Sequence, residues 1–218
     1  MNSEIDLKKL ERKAYRSIHQ DGIMDIFLGF IMIAMGIYGT LSNPGIENPL
    51  GLGIFVILEI VAIFIIIAGK KYITVPRIGI VKPGSERKKK LSKARIVLAI
   101  SILLGLIFFL VPIVLGNIGK EGQLPWYFLA IIFAMNVFIV FGLVAYFLDY
   151  SRLYVIAVLF ALTIPFLEIL KLFFDSPFNV LIAFGLPGII VIGIGVIYLY
   201  RFIKNYPLPK EEEIPNAL

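Results

Sequence analysis

Apolar residues run through this chain in six long blocks separated by short polar joints, at about 23–41, 50–69, 95–116, 125–148, 153–174 and 178–201. A helix crosses the hydrocarbon core of a bilayer with roughly 20 mostly apolar residues. The pattern therefore predicts an all-α membrane protein, with six transmembrane helices forming a single domain over residues 23–201. The runs are continuous, without the polar alternation of a membrane β-strand, so a β-barrel is excluded. The joints carry turn chemistry: Ser42-Asn43-Pro44-Gly45, Gly116 to Gly122, Asp149 to Arg152, and Asp175-Ser176-Pro177. Pro125 suits the first turn of the fourth helix.

Composition narrows the picture further. Of the 218 residues, 59% are hydrophobic and 17% charged, and the mean hydropathy is +0.92. Soluble domains run at about 45–50% apolar and about 25% charged, so a soluble enzyme is excluded. Without cysteine there is no disulfide framework, thiolate metal site or Cys nucleophile. The segment ahead of the first helix is long, Asp25 interrupts the apolar run and no small-residue cleavage site follows, so this helix reads as retained rather than as a signal peptide.

The net charge of +6 reflects topology. With six spans and a cytoplasmic N-terminus, every basic residue except Lys120 and Lys171 falls on the cytoplasmic side, as the positive-inside rule requires. Both termini are then cytoplasmic, and the expected location is the cell membrane. Trp126 and Tyr127 at one end of the fourth helix, and Tyr146, Tyr150, Tyr154, Tyr198 and Tyr200 near the other face, fit interfacial belts. Nucleic acid is not an expected partner, because the basic residues hug the membrane ends.

Three segments face water. Residues 1–22 are expected to hold a short amphipathic interfacial helix over 3–20, with a Leu7, Leu10, Ala14 and Ile18 stripe opposite basic residues. Residues 202–218 form a cytoplasmic tail. The loop at 70–95 contains Ile73-Thr74-Val75 and Ile78 to Val81, β-like runs around Pro76-Arg77, so a small β-hairpin is expected within 70–85. Arg77, Arg87, Lys88, Lys89 and Lys90 are candidate contacts for anionic lipid headgroups or a protein partner. Residues Ile73 to Lys82, ITVPRIGIVK, resemble a PRIG-x-VK stretch that follows the second hydrophobic helix in small multi-pass prokaryotic membrane proteins. That resemblance implies no activity.

Candidate chemistry lies inside the spans, where an ionisable group is a functional hypothesis because lipid exposure is costly. Glu59 sits mid-way along the second helix and Asn136 mid-way along the fourth. Glu168 and Lys171 share a face of the fifth, and Asp25 lies one turn into the first. Glu59, Asn136, Glu168 and Asp25 are the candidate ligand or ion-binding residues. Gly22, Gly29 and Gly36 recur every seven residues beside Asp25, marking a face that another helix can approach closely. A helix break is expected at Gly185, Pro187 and Gly188. Leu58 to Phe64 and Leu167 to Phe173 echo each other at an offset of 109 residues, half the chain, as inverted repeats of transporters do. No P-loop or dinucleotide fingerprint is present. One His and no Cys point to no metal, cofactor or catalytic residues, so a non-enzyme is expected, with a carboxylate-only intramembrane enzyme acting on lipid as the third alternative.

The function expected from these features is transport through a membrane-embedded carboxylate site. The alternative is a non-catalytic subunit or scaffold that binds anionic lipid, a partner protein or a second copy through its basic face.

Overall fold

The computed structural model describes residues 20–42, 49–79, 85–115, 126–173 and 178–208. Residues 1–19, on which the amphipathic helix was expected, and 209–218 of the tail lie outside the described residues. The described secondary structure is all helical: α1 (Ile23–Leu41), α2 (Pro49–Gly69), a π-turn (Lys70–Thr74), α3 (Val75–Ile78), α4 (Ser85–Leu115), α5 (Trp126–Leu148), α6 (Arg152–Ala161), α7 (Thr163–Phe173) and α8 (Asn179–Asn205). Five stretches among the described residues are long and apolar enough to cross a membrane: Ile23–Leu41, Leu50–Ile78, Ala130–Leu148, Arg152–Phe173 and Asn179–Asn205. The expected third span, 95–116, lies on α4, where the side chains from residue 108 onward are outside the described set.

Three expectations change. The β-hairpin is absent from residues 70–79, because the second helix does not stop at Gly69. It runs through the π-turn and α3 to Ile78. Proline explains the irregularity: Pro76 has no N–H for the Tyr72 carbonyl, and its ring would crowd the preceding turn of a regular α-helix. The wider π-turn absorbs the misfit, with the Val75 N–H reaching back five residues to the Lys70 carbonyl. Gly79, at φ 74°, then ends the helix. Residues 80–84 of the expected hairpin lie outside the described residues.

The break expected at Gly185, Pro187 and Gly188 does not interrupt α8, which is helical from Asn179 to Asn205 with Pro187 inside it. Proline removes one hydrogen bond, and surrounding helices can hold the rest of the ladder in place. The fifth apolar block is the one that divides. Pro165 lacks the N–H that would bond Ala161, and the helix breaks between α6 and α7 at Leu162. The Thr163 hydroxyl donates to the Phe160 carbonyl at 2.7 Å across this break.

The chain divides into two compact units. One comprises residues 1–84 and 184–218, and the other residues 85–183. In the first, α1 and α2 are antiparallel neighbours: a Cβ on Gly69 would touch Ile23, and one on Gly51 would touch Leu41. Tyr38 meets Phe55 between them at 5.2 Å between ring centroids. In the second, α5 packs on α4, α6 and α7. Its core holds Leu153, Ile156, Ala157 and Phe160 of α6, with Phe160 stacked on Phe141 at 5.6 Å. The α5–α6 corner is tight. Asp149 takes a left-handed conformation (φ 53°) and the Tyr150 N–H reaches the Ala145 carbonyl at 3.0 Å, the six-to-one bond that closes many helix ends.

Candidate functional site

The first unit holds three carboxylates inside or at the mouth of its membrane helices, and glycine determines how they are enclosed. The seven-residue spacing of Gly22, which caps α1, and Gly29 within it is matched by Gly188 and Gly195 on α8 in antiparallel register. A Cβ on Gly22 would lie 2.1 Å from the Gly195 carbonyl oxygen, and one on Gly29 would lie 2.7 Å from that of Gly188. Seven residues is close to two helical turns, so each row stays on one face over this length. The helix backbones touch along the rows, and Asp25, between Gly22 and Gly29 on α1, is fully buried. Gly188 and Pro187 are buried too, so the residues expected to break the helix form part of its closest packing.

Asp21 lies one turn before Asp25 and is fully buried as well. Its Oδ1 accepts the Ile23 N–H at 3.2 Å, which satisfies a donor at the start of α1. Its Oδ2 accepts from Lys70 Nζ at 2.6 Å and from the Thr74 hydroxyl at 2.5 Å. Lys70 and Thr74 bracket the π-turn, so the Pro76 irregularity places both donors on one carboxylate. The Lys70 side chain keeps 26% of its exposure and marks the edge of the buried region. The sequence does not mark Asp21, Lys70 and Thr74 as a site, although an Asp directly before a Gly and a long apolar run is a helix-start pattern.

Glu59 lies half-buried in the middle of the second span, and its Oε1 is buried with no hydrogen-bond partner. Its depth follows from the α1–α2 register. Gly51 pairs with Leu41, so Glu59, eight residues on, lies level with Ile33. At 1.5 Å per residue this is about 12 Å beyond Asp25 along the helix axis. Asp21, Asp25 and Glu59 therefore follow one another in depth, from the start of α1 to the middle of the unit.

The remaining candidates lie elsewhere. Asn136 on α5 is half-buried in the second unit. Glu168 in that unit accepts from Lys171 at 2.8 Å, with Lys171 more than half exposed. Of the basic candidates, Arg77 turns back on its own helix, donating to the Ile73 carbonyl at 2.8 Å. Lys90 lies 3.9 Å from Asp149 and 6.0 Å from the Tyr146 ring centroid. Lys88 and Lys89 are exposed on α4, and the Arg87 side chain lies outside the described residues.

No family model, curated protein or solved structure matches the chain. Among the described residues no group of three or more His, Asp or Glu is placed to hold a metal ion. Asp21, Asp25 and Glu59 of the first unit are therefore the candidate site.

Proposed function

We propose that this is a multi-pass membrane transporter that moves a proton or a small monovalent cation past the carboxylates of its first unit, with Glu59 as the mid-membrane site. The observation that carries this reading is the buried Glu59 oxygen without a partner, in the middle of a helix long and apolar enough to span. Leaving a buried polar atom unsatisfied costs about 1–3 kcal/mol, and a proton or a cation at Glu59 offsets that cost. Asp21, held by Lys70 and Thr74, lies at the mouth, and Asp25 lies one turn further in. Six crossings with both termini on the cytoplasmic side belong to the same reading. The crowding of basic residues on one side of the six apolar blocks supports them, and Asp21 and Lys70 then mark the cytoplasmic end.

The test is reconstitution of the full chain into liposomes loaded with a pH-sensitive dye, under an imposed proton, Na+ or K+ gradient. Wild-type protein is expected to dissipate a gradient faster than empty liposomes. Glu59→Gln, which keeps the side-chain shape and removes the charge, is expected to slow the flux at least tenfold with an unchanged Tm in detergent. Wild-type flux in Glu59→Gln overturns the role of Glu59. Absence of flux through wild-type protein under all three gradients overturns the transport reading.

A further inference from the structure

The basic loop residues divide into two classes that their sequence does not separate. Lys90 points inward with buried Ala94, toward α5, and its charge is engaged by Asp149 and the Tyr146 ring. Lys88, Lys89, Lys93 and Arg95 are exposed on the rest of the α4 surface, and no ion pair engages any of the four among the described residues. They occupy two stripes about a third of a turn apart around the helix, the remaining side being that of Lys90 and Ala94. Lys89 and Lys93 are followed on their stripe by Ile96 and Ile100, at helical spacings of four and three. Lys88 and Arg95 are followed on theirs by Ile102, at intervals of seven. Ile96, Ile100 and Ile102 are 55%, 52% and 65% exposed. Each stripe thus passes from positive charge to apolar surface along one unbroken helix, within about 10 Å from Lys88 to Arg95 at 1.5 Å per residue.

We propose that this stretch of α4 binds anionic phospholipid on both exposed stripes, one headgroup phosphate lying at Lys89 and Lys93 with its acyl chains on Ile96 and Ile100, and another at Lys88 and Arg95 with its acyl chains on Ile102. A free anion matches the cations alone, and an acidic protein surface leaves the adjoining isoleucines uncovered. An anionic amphiphile matches both halves. Lys90 is a structural residue of the α4–α5 contact and does not belong to the site. The inference is independent of transport, because it concerns the other unit and requires only that α4 meets a bilayer.

The experiment reconstitutes the full chain into liposomes of equal phosphatidylglycerol and phosphatidylcholine, extracts it mildly and counts the retained lipids by mass spectrometry. One basic residue near an anionic surface is worth about fivefold in binding. Wild-type protein is expected to retain at least fivefold more phosphatidylglycerol than phosphatidylcholine, and a wash in about 1 M salt, where the screening length is near 3 Å, is expected to reduce the excess. The double variants Lys88→Gln/Lys89→Gln and Lys93→Gln/Arg95→Gln are each expected to lower it about fivefold or more, whereas Lys90→Gln keeps it. Equal retention of the two lipids by wild-type protein overturns the proposal, as does a wild-type excess in both double variants. Displacement of phosphatidylglycerol by an equal concentration of soluble glycerol phosphate also overturns it, because the site would then recognise a free phosphate. Should a double variant fail to fold, the salt wash of wild-type protein decides: an undiminished excess overturns the proposal.

Discussion

The two units solve the same problem, packing helices whose outer surfaces are apolar, by opposite means. In the first, backbone meets backbone: Gly22 and Gly29 lie against Gly195 and Gly188, and charge is enclosed, with Asp21 and Asp25 fully buried. In the second, side chains fill the space. Phe141 stacks on Phe160, and Leu153, Ile156 and Ala157 are buried beside them. Charge there stays at the rim: the Lys90–Asp149 and Glu168–Lys171 pairs keep partial exposure on both partners. When lipid surrounds a protein, apolar burial gives little drive to association, so close approach and polar contacts must supply it. The first unit depends on both, which ties its integrity to a few irreplaceable residues. The second spreads its packing over many.

The largest expected effect breaks the glycine seam. Gly29→Leu drives side-chain atoms into the Gly188 carbonyl and the Ile192 backbone, neither of which can move as a side chain does. The expected outcome is loss of a monodisperse species in detergent size-exclusion chromatography. Gly142→Ala in the second unit meets only a Tyr154 ring carbon at 3.9 Å, and its elution profile should match wild type. If Gly29→Leu folds normally, the seam is not what holds α1 to α8.

Next in size is the buried pair. Asp21→Ala removes the buried carboxylate that Lys70 meets and leaves the Thr74 hydroxyl and the Ile23 N–H without this acceptor. Breaking one partner of a fully buried pair costs about 3–5 kcal/mol; Lys70 keeps 26% exposure, so a cost below that range is expected, seen as a fall in Tm. Glu168→Ala removes a pair whose Lys171 is half exposed, and an exposed ion pair contributes about 0–1 kcal/mol. A double-mutant cycle on each pair sharpens the contrast: coupling is expected between Asp21 and Lys70 and close to none between Glu168 and Lys171. Equal couplings would erase the distinction between enclosed and rim charge.

The smallest expected effect lies at the α5–α6 corner. Asp149→Gly removes the contact with Lys90, yet supplies the residue best suited to a φ of 53°. The two changes oppose each other, and the Tm should stay within a few degrees of wild type. Asp149→Val, a β-branched residue in the same left-handed conformation, should fall below it.

Much of this was legible in the chain, because helix formation and bilayer crossing depend on local properties. The apolar block 23–41 became α1 with the same ends, since a long run of apolar residues bounded by Gly22 and Ser42 admits few alternatives. The glycine row on α1 was visible for the same reason, as a period that one helix displays by itself. At Pro76, proline beside β-branched residues resembles a strand boundary, and only the helix behind it, continuing through a π-turn, shows otherwise. At Pro187, packing supports a helix that propensity alone would break.

What the sequence by itself determined is therefore the set of apolar helices, the clustering of positive charge at residues 8–16 and 70–95 and the presence of a small-residue face beside Asp25. Tertiary structure alone decided which helix meets that face, which basic residue reaches Asp21, and that Lys90 differs in kind from Lys88 and Lys89. Periodicity and hydropathy are properties of one segment. A partner 49 residues away, as Lys70 is from Asp21, is chosen only when two helices are brought side by side.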